Sequence, residues 1–284
     1  MSLPFFDDLP NLTERLVSAV HLDVFLDFDG TLAPLVEHPA DASLPAVTRR
    51  LLEALATEPN VTLAIISGRA IDDVEHRLGI ENIFYSGNHG HEIRDAALRF
   101  QAPIPASAQA AMRALAGTLT KRFQTTSGVL VEDKGPTISI HYRLAPEAEW
   151  PGIARMVQED LKAAKHPFRI THGNKVYEIR ASTECDKGTA CRWLCEQIGQ
   201  DALPIYVGDD ATDEDAFAAL PEGITVRVKP SGVTLATHHL DDQADVNRFL
   251  SWLAATVKRV GEPKTRVQSR PGQAGTSNAI ANLL

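Results

Sequence analysis

Two acidic segments of this chain carry the residue types and spacing that chemistry on an anion or a hard metal would need. Asp27-Phe28-Asp29-Gly30-Thr31 closes the apolar run Leu22–Phe28. Two carboxylates one residue apart at a strand tip can share a hard cation through oxygen ligands. One of them, held there, can also attack phosphorus as a nucleophile. Gly30 would let backbone N–H groups approach a phosphate oxygen, and Thr31 adds a hydroxyl donor. An Asx turn at a strand end has the same composition, so the segment by itself leaves both readings open. The second segment, Val207-Gly208-Asp209-Asp210-Ala211-Thr212-Asp213-Glu214-Asp215, places five carboxylates within seven residues. These repel one another unless a cation neutralises some of them. Charging the first turn of a following helix accounts for Glu214 and Asp215, but poorly for Asp209.

Two further elements have cationic or hydroxyl character. Ser67-Gly68-Arg69 follows the apolar run Val61–Ile66, where a serine can hydrogen-bond a phosphate oxygen or simply cap the strand. Lys187-Gly188-Thr189 opens a helical stretch, where an ammonium and free N–H groups favour an anion. The order Lys-Gly is wrong for a Walker sequence and no GxGxxG fingerprint is present, which argues against a P-loop nucleotide hydrolase and a dehydrogenase.

These residues need elements to hold them. Leu22–Phe28, Val61–Ile66, Ile83–Ser86 and Pro204–Val207 are short apolar runs bounded by turn residues, as expected of buried strands. Helical spacing appears over Leu44–Glu58, Ile71–Leu78 (closed by Gly79) and Lys187–Ile198. Alternating buried strands and helices predict a parallel sheet covered on both faces. Between about 103 and 181 the rhythm changes. Helices are expected over Ala106–Phe123 and Glu147–Ala164, with strand pairs Gly128–Glu132/Thr137–Arg143 and Phe168–His172/Lys175–Arg180 joined by Asp133-Lys134-Gly135-Pro136 and Gly173-Asn174. The expected fold class is therefore α/β, a doubly wound parallel-sheet, Rossmann-like core with a smaller α/β module inserted as a cap. The expected divisions are core residues 1–102 and 182–260, cap residues 103–181, and a disordered, aromatic-free tail over 261–284.

Composition narrows the function classes. At 284 residues, 44% hydrophobic and 23% charged, the chain is that of a folded globular protein able to bury a sizeable core without staples. Its net charge of −9 disfavours nucleic acid and anionic lipid as partners, though a local pocket can still be positive. No apolar run approaches membrane-spanning length, and the first residues carry no basic n-region. The three cysteines, Cys185, Cys191 and Cys195, form an odd, clustered set that suits a reducing compartment, so a cytoplasmic setting is expected. Cys191 and Cys195 lie one helical turn apart without a matching partner and are expected to fill the core.

Taken in order, strand–DxDGT, strand–Ser, Lys and strand–GDDxxD resemble the haloacid-dehalogenase-like phosphotransferases. FLDFDGTLAPLVEHP, IISGR, GNHGHE, VEDKGPTISIHYR, KVYEIRASTECDKG and YVGDDATDEDAF further resemble the trehalose-6-phosphate phosphatase family, over roughly Leu22 to Leu253. One departure is Ala181-Ser182-Thr183, where many relatives place a proline; it bears on the hinge. The resemblance implies that Asp27 is the nucleophile and Asp29 the general acid and base. Mg²⁺ would be held by Asp27, the Asp29 carbonyl and Asp209, with Asp210 and Asp213 around them. Phosphate would be bound by Gly30, Thr31, Ser67, Gly68 and Lys187. The sugar would be read by Asn88, His89, Glu132, Lys134, Arg143 and Glu178. The implied partner is a small sugar phosphate, trehalose 6-phosphate. The rivals are a phosphatase for another sugar phosphate, a non-catalytic sugar-phosphate-binding regulator, and a signalling receiver domain, which is about half this length and has no cap.

Overall fold

The computed structural model describes residues 2–164, 166–181, 185–199, 201–230 and 232–259. The expected tail over 261–284 and the Ser182-Thr183 departure lie outside them. The core is a nine-stranded sheet. In chain order its strands are β1 (Leu3–Pro4), β2 (His21–Leu26), β3 (Val61–Ile66), β4 (Phe84–Gly87), β5 (Glu92–Arg94) and β6 (Arg99–Gln101). After the cap strands β7 (Leu130–Asp133), β8 (Thr137–His141), β9 (Phe168–Gly173) and β10 (Val176–Ala181), the core resumes with β11 (Ala202–Gly208), β12 (Ile224–Val228) and β13 (His238–Leu240). The spatial order is β1-β13-β12-β11-β2-β3-β4-β5-β6. Pairing is parallel from β1 to β4 and antiparallel at β5 and β6.

The helices are α1 (Leu9–Ser18), α2 (Ala46–Ala56), α3 (Ile71–Leu78), α4 (Ala106–Phe123), α5 (Trp150–Ala163), α6 (Lys187–Ile198), α7 (Glu214–Ala219) and α8 (Asp245–Thr256). Because successive strand residues face opposite sides, β2 feeds two cores. Leu22, Val24 and Leu26 pack with Leu12, Leu52, Val74 and Phe249 from α1, α2, α3 and α8. Phe25 packs with Cys191 and Leu194 of α6 and Phe217 of α7. Cys191 is thus the core filler its sequence context suggested.

The order of the strands brings the chemistry together. Leu26 is level with Val207 on one side and Ile65 on the other, so the loops after β2, β3 and β11 leave the sheet at one edge, where ligands of open α/β sheets bind. Asp27 N–H still donates to Val207 O, but the Phe28 carbonyl accepts the Ala33 N–H inside the loop. The strand therefore ends two residues before the apolar run does. Helix boundaries follow their caps. Gly79 takes the left-handed conformation (φ 55°) that ends α3, its N–H bonding Glu75 O. Asp186 and Thr189 form a reciprocal capping box that starts α6 at Lys187.

The cap sheet runs β7-β8-β10-β9, wholly antiparallel. Its two faces alternate in chemistry. Ile138, Ile140, Tyr177 and Ile179 pack under α4 and α5 with Met112, Leu119, Ile153 and Val157. The intervening Ser139, His141, Glu178 and Arg180 face the other way. Two local expectations shift. The helix expected from Glu147 opens as a 3-10 turn, Glu147–Glu149, and becomes α5 at Trp150. In the β9–β10 hairpin, Gly173 pairs with Val176, so the turn is Asn174-Lys175, with the positive φ (62°) on Lys175. Gly173 is needed for another reason: a Cβ there would lie 2.7 Å from Asp210 Oδ2 of the core. Strands β1, β5, β6, β12 and β13 and helices α1 and α8 are not among the expected elements.

Candidate active site

Four side chains converge at the β2 and β11 tips. Lys187 Nζ, at the start of α6, donates to Asp27 Oδ1 and to Asp213 Oδ1, each at 2.7 Å. Asp213 also accepts from the Tyr206 hydroxyl (2.7 Å) and, through Oδ2, from the Asp210 N–H (2.8 Å). Carboxylate oxygens of Asp27, Asp209 and Asp213 lie within 4.8 Å of one another. Gly30 has φ +84°, and a Cβ there would stand 2.1 Å from Asp209 Oδ2, so only glycine fits beneath this cluster.

The charges do not balance within the chain. Burial pushes the Asp27 carboxyl up to about 7, with Lys187 opposing and Asp213 and Asp29 adding to the rise. Burial and the neighbouring Asp27, Asp213 and Asp210 push Asp209 far above the usual carboxylate range. Lys187 would be lowered by burial, yet Asp213 and Asp27 hold it well above its ordinary value. Two buried carboxylates, Asp27 and Asp213, and the half-buried Asp209 face one ammonium, and the Asp209 Oδ1 atom is itself buried without a hydrogen-bond partner. An all-oxygen site short of positive charge, with one orphaned ligand atom, fits a hard divalent cation.

Asp29 does not join this cluster through its side chain. Its carboxylate receives Arg69 Nε at 2.6 Å and Nη2 at 2.7 Å, a two-point grip. Arg69 also bonds Asp73 (2.7 Å) and the Pro39 carbonyl (2.9 Å). Burial works against its charge, but Asp29 and Asp73 keep it above its usual range. Sequence reasoning took the serine from Ser67-Gly68-Arg69 and passed over the arginine, although both were in one tripeptide. Ser67 is buried, its Oγ accepting the Arg69 N–H. Thr31 is buried with an unpartnered Oγ1. Gly68 sits against His89, whose ring a Cβ would meet at 2.5 Å.

A cleft of about 920 Å³, measured to its open mouth, separates these residues from the polar face of the cap. Asp27, Asp29, Gly68, Lys187, Asp209 and Asp210 line it from the core; His89, Glu132, Lys134, Arg143 and Glu178 line it beside and above them. A ladder of alternating charge crosses the cap face. His141 Nε2 is 3.3 Å from Glu132, Lys134 Nζ is 3.9 Å from Glu132 and 3.6 Å from Glu178, and Glu178 is 3.6 Å from His89. Lys134 also donates to the Gly68 carbonyl at 2.9 Å, tying cap to core, and Ser139 donates to Glu178 at 2.7 Å. Burial alone would raise the Glu178 carboxyl; Lys134, His89 and Ser139 outweigh it and hold it at about 2. Burial pushes His89 down to about 4, so its imidazole is neutral at physiological pH. Arg143 reaches across to the Asn174 carbonyl (3.0 Å).

Asn88 is the exception among the expected sugar-reading residues. It does not line the cleft: its amide donates to Glu92 (2.7 Å) and accepts from Thr137 (3.1 Å), joining the core loop to the cap. His141 lines the cleft and was missed, since period-two alternation on a strand of uncertain register does not say which face looks inward.

A doubly wound core, a carboxylate-rich strand edge and a lid-like inserted sheet define a phosphatase of the haloacid-dehalogenase-like class. Residues 25–247 match the trehalose-phosphatase family, and the chain belongs to it, which makes it a phosphoric monoester hydrolase. It is 35% identical to maize trehalose 6-phosphate phosphatase RA3 over 252 residues, 81% of this chain and 69% of that protein. With Arabidopsis thaliana trehalose-phosphate phosphatase B it shares 33% identity over 283 residues, 90% of this chain and 74% of the relative. In fold it is similar to the C-terminal domain of Candida albicans trehalose-6-phosphate phosphatase, with a TM-score of 0.78 at 24% identity over 90% of this chain and 98% of that one. Among the described residues no helix is long and apolar enough to cross a membrane.

Proposed function

We propose that this chain hydrolyses trehalose 6-phosphate to trehalose and inorganic phosphate through an aspartyl phosphate on Asp27. The observation that carries the reading is the placement of Asp27, Lys187 and Asp209 directly beneath the charged face of the cap. In the first half-reaction an Asp27 oxygen forms a bond to phosphorus as the bond to the sugar oxygen breaks. Asp29 gives that oxygen its proton, which an alkoxide leaving group needs. In the second, Asp29 takes a proton from water as the water attacks phosphorus, releasing phosphate and restoring Asp27. Lys187, whose ammonium is held charged by Asp27 and Asp213, offsets negative charge on the phosphoryl oxygens. The loop N–H at Gly68 and the hydroxyls of Thr31 and Ser67 complete the phosphate cradle, with Gly30, whose own N–H is held by the Ala33 carbonyl, shaping the loop. Mg²⁺, held by Asp27, Asp209 and the Asp29 carbonyl with Asp213 beside them, would reduce the repulsion between Asp27 and a phosphate dianion.

The sugar end falls to Glu132, Lys134, Arg143, Glu178 and His89, with Asn88 acting through the loop it braces. A dense array of hydroxyls suits fixed donors and acceptors of this kind. Residues 103–181 would close as a cap over core segments 1–102 and 182–260, excluding bulk water. The odd, clustered set of cysteines favours a cytoplasmic setting. The test is phosphate release from trehalose 6-phosphate beside a panel of other sugar phosphates, with chelator and with Mg²⁺ restored. Turnover that requires Mg²⁺ and prefers trehalose 6-phosphate is expected. A different preferred ester would overturn the substrate, and full turnover in excess chelator would overturn the metal.

A further inference from the structure

A second cavity opens at the other end of β2, on the opposite edge of the sheet from the active site. It encloses about 670 Å³ including its mouth, and Asp23, Arg192, Cys195, Glu196, Leu220 and Glu222 contribute to its wall. Asp23 is the unusual member. It lies on the central strand and is 2% exposed, and its Oδ1 has no hydrogen-bond partner. Its one ion-pair neighbour among the described residues is His21, 3.9 Å away. That ring is already engaged with Thr62 at 2.9 Å, and burial holds it below its usual range, so it supplies no counter-charge at neutral pH. The Cys195 thiol donates to the carboxylate. Burial first, and then Asp23, push that thiol up to about 12, so it stays a neutral donor. Burial raises the Asp23 carboxyl to about 6, as for a carboxylate lacking a cation.

A buried, half-satisfied carboxylate on a central strand costs stability, and such costs are retained at functional sites. Three acidic side chains face a single arginine in this wall, beside the apolar surface of Leu220 and Pro221. We propose that this cavity is a binding site for a small organic cation, a primary ammonium on a short aliphatic chain, with Asp23 as its counter-ion. The ammonium would pair with the Asp23 carboxylate and the alkyl part would lie on Leu220 and Pro221. Nothing in this proposal uses the residues of the phosphatase reaction.

Thermal unfolding of the full chain with n-butylamine tests it, with n-butanol and butyrate as neutral and anionic controls of the same length. A saturable rise in Tm of about 2–3 °C is expected at ten times the dissociation constant, for the amine alone. Asp23→Asn keeps the shape and removes the charge; it should melt at or above wild type without ligand and show no amine response. The proposal is overturned if wild type shows no saturable rise, if butanol matches the amine, or if Asp23→Asn keeps the response. A lower Tm for both Asp23→Asn and Asp23→Leu would also overturn it, by giving Asp23 a structural role instead.

Discussion

Glu178→Gln separates recognition of the sugar from chemistry at phosphorus. The amide keeps the side-chain volume and can still accept from Ser139, but it gives up the charge facing Lys134 and His89. In the wild type this buried carboxyl is held at about 2 against an ordinary 4.5. At about 1.36 kcal/mol per tenfold change in proton affinity, that contributes about 3 kcal/mol of stability at neutral pH. Because the folded state depresses the value, the contribution is fully present above pH 4.5 and disappears as pH falls through about 2. Urea unfolding should therefore show the variant about 3 kcal/mol less stable at pH 7, with the gap roughly halved by pH 3. A charged hydrogen bond to the substrate contributes about 1.5–3 kcal/mol. Losing one should lower kcat/KM on trehalose 6-phosphate roughly 10- to 150-fold. p-Nitrophenyl phosphate, which reaches Asp27 without spanning the cap, should turn over at about the wild-type rate. A stability gap independent of pH would refute the charge argument. Equal losses on both substrates would refute sugar reading by Glu178 and leave it a role in closing the cap.

Asp27→Asn should abolish phosphate release while the metal-free protein melts no lower than wild type, because an ionised carboxylate pushed up to about 7 is a cost to the fold at neutral pH. Gly30→Ala forces a Cβ to 2.1 Å from Asp209 in a left-handed backbone; conformation alone costs about 1–2 kcal/mol, and calorimetry should show Mg²⁺ affinity falling along with Tm. Arg69→Met releases the two-point grip on Asp29. Turnover of the alkyl ester should drop about 10- to 100-fold, within the range of general-acid effects, and by clearly less on an aryl phosphate whose leaving group needs no proton; equal losses would remove Arg69 as the residue that positions the acid.

Within the chain order, local signals were enough to place most of the scaffold. Val61–Ile66, Ile71–Leu78, Ala106–Phe123 and Lys187–Ile198 begin and end where the apolar pattern, Gly79 and the Lys187-Gly188-Thr189 segment put them, since each boundary depends on residues within one turn. Asp27 and Asp209 were legible for the same reason: each stands beside the strand that aims it. What came only with the tertiary structure are the pairings across long separations. Lys187 meets Asp27 across 160 residues of chain, and Arg69 meets Asp29 across 40. Neither contact has a periodicity or a turn to announce it. The same holds for Asn88, which the GNHG segment marked but which turned from the cleft to brace Thr137, and for His141, whose side of the cap sheet was decided by register. Strand order and register are set by the summed burial of whole faces, so a sequence can name the reactive groups while the packing of distant elements chooses which of them meet.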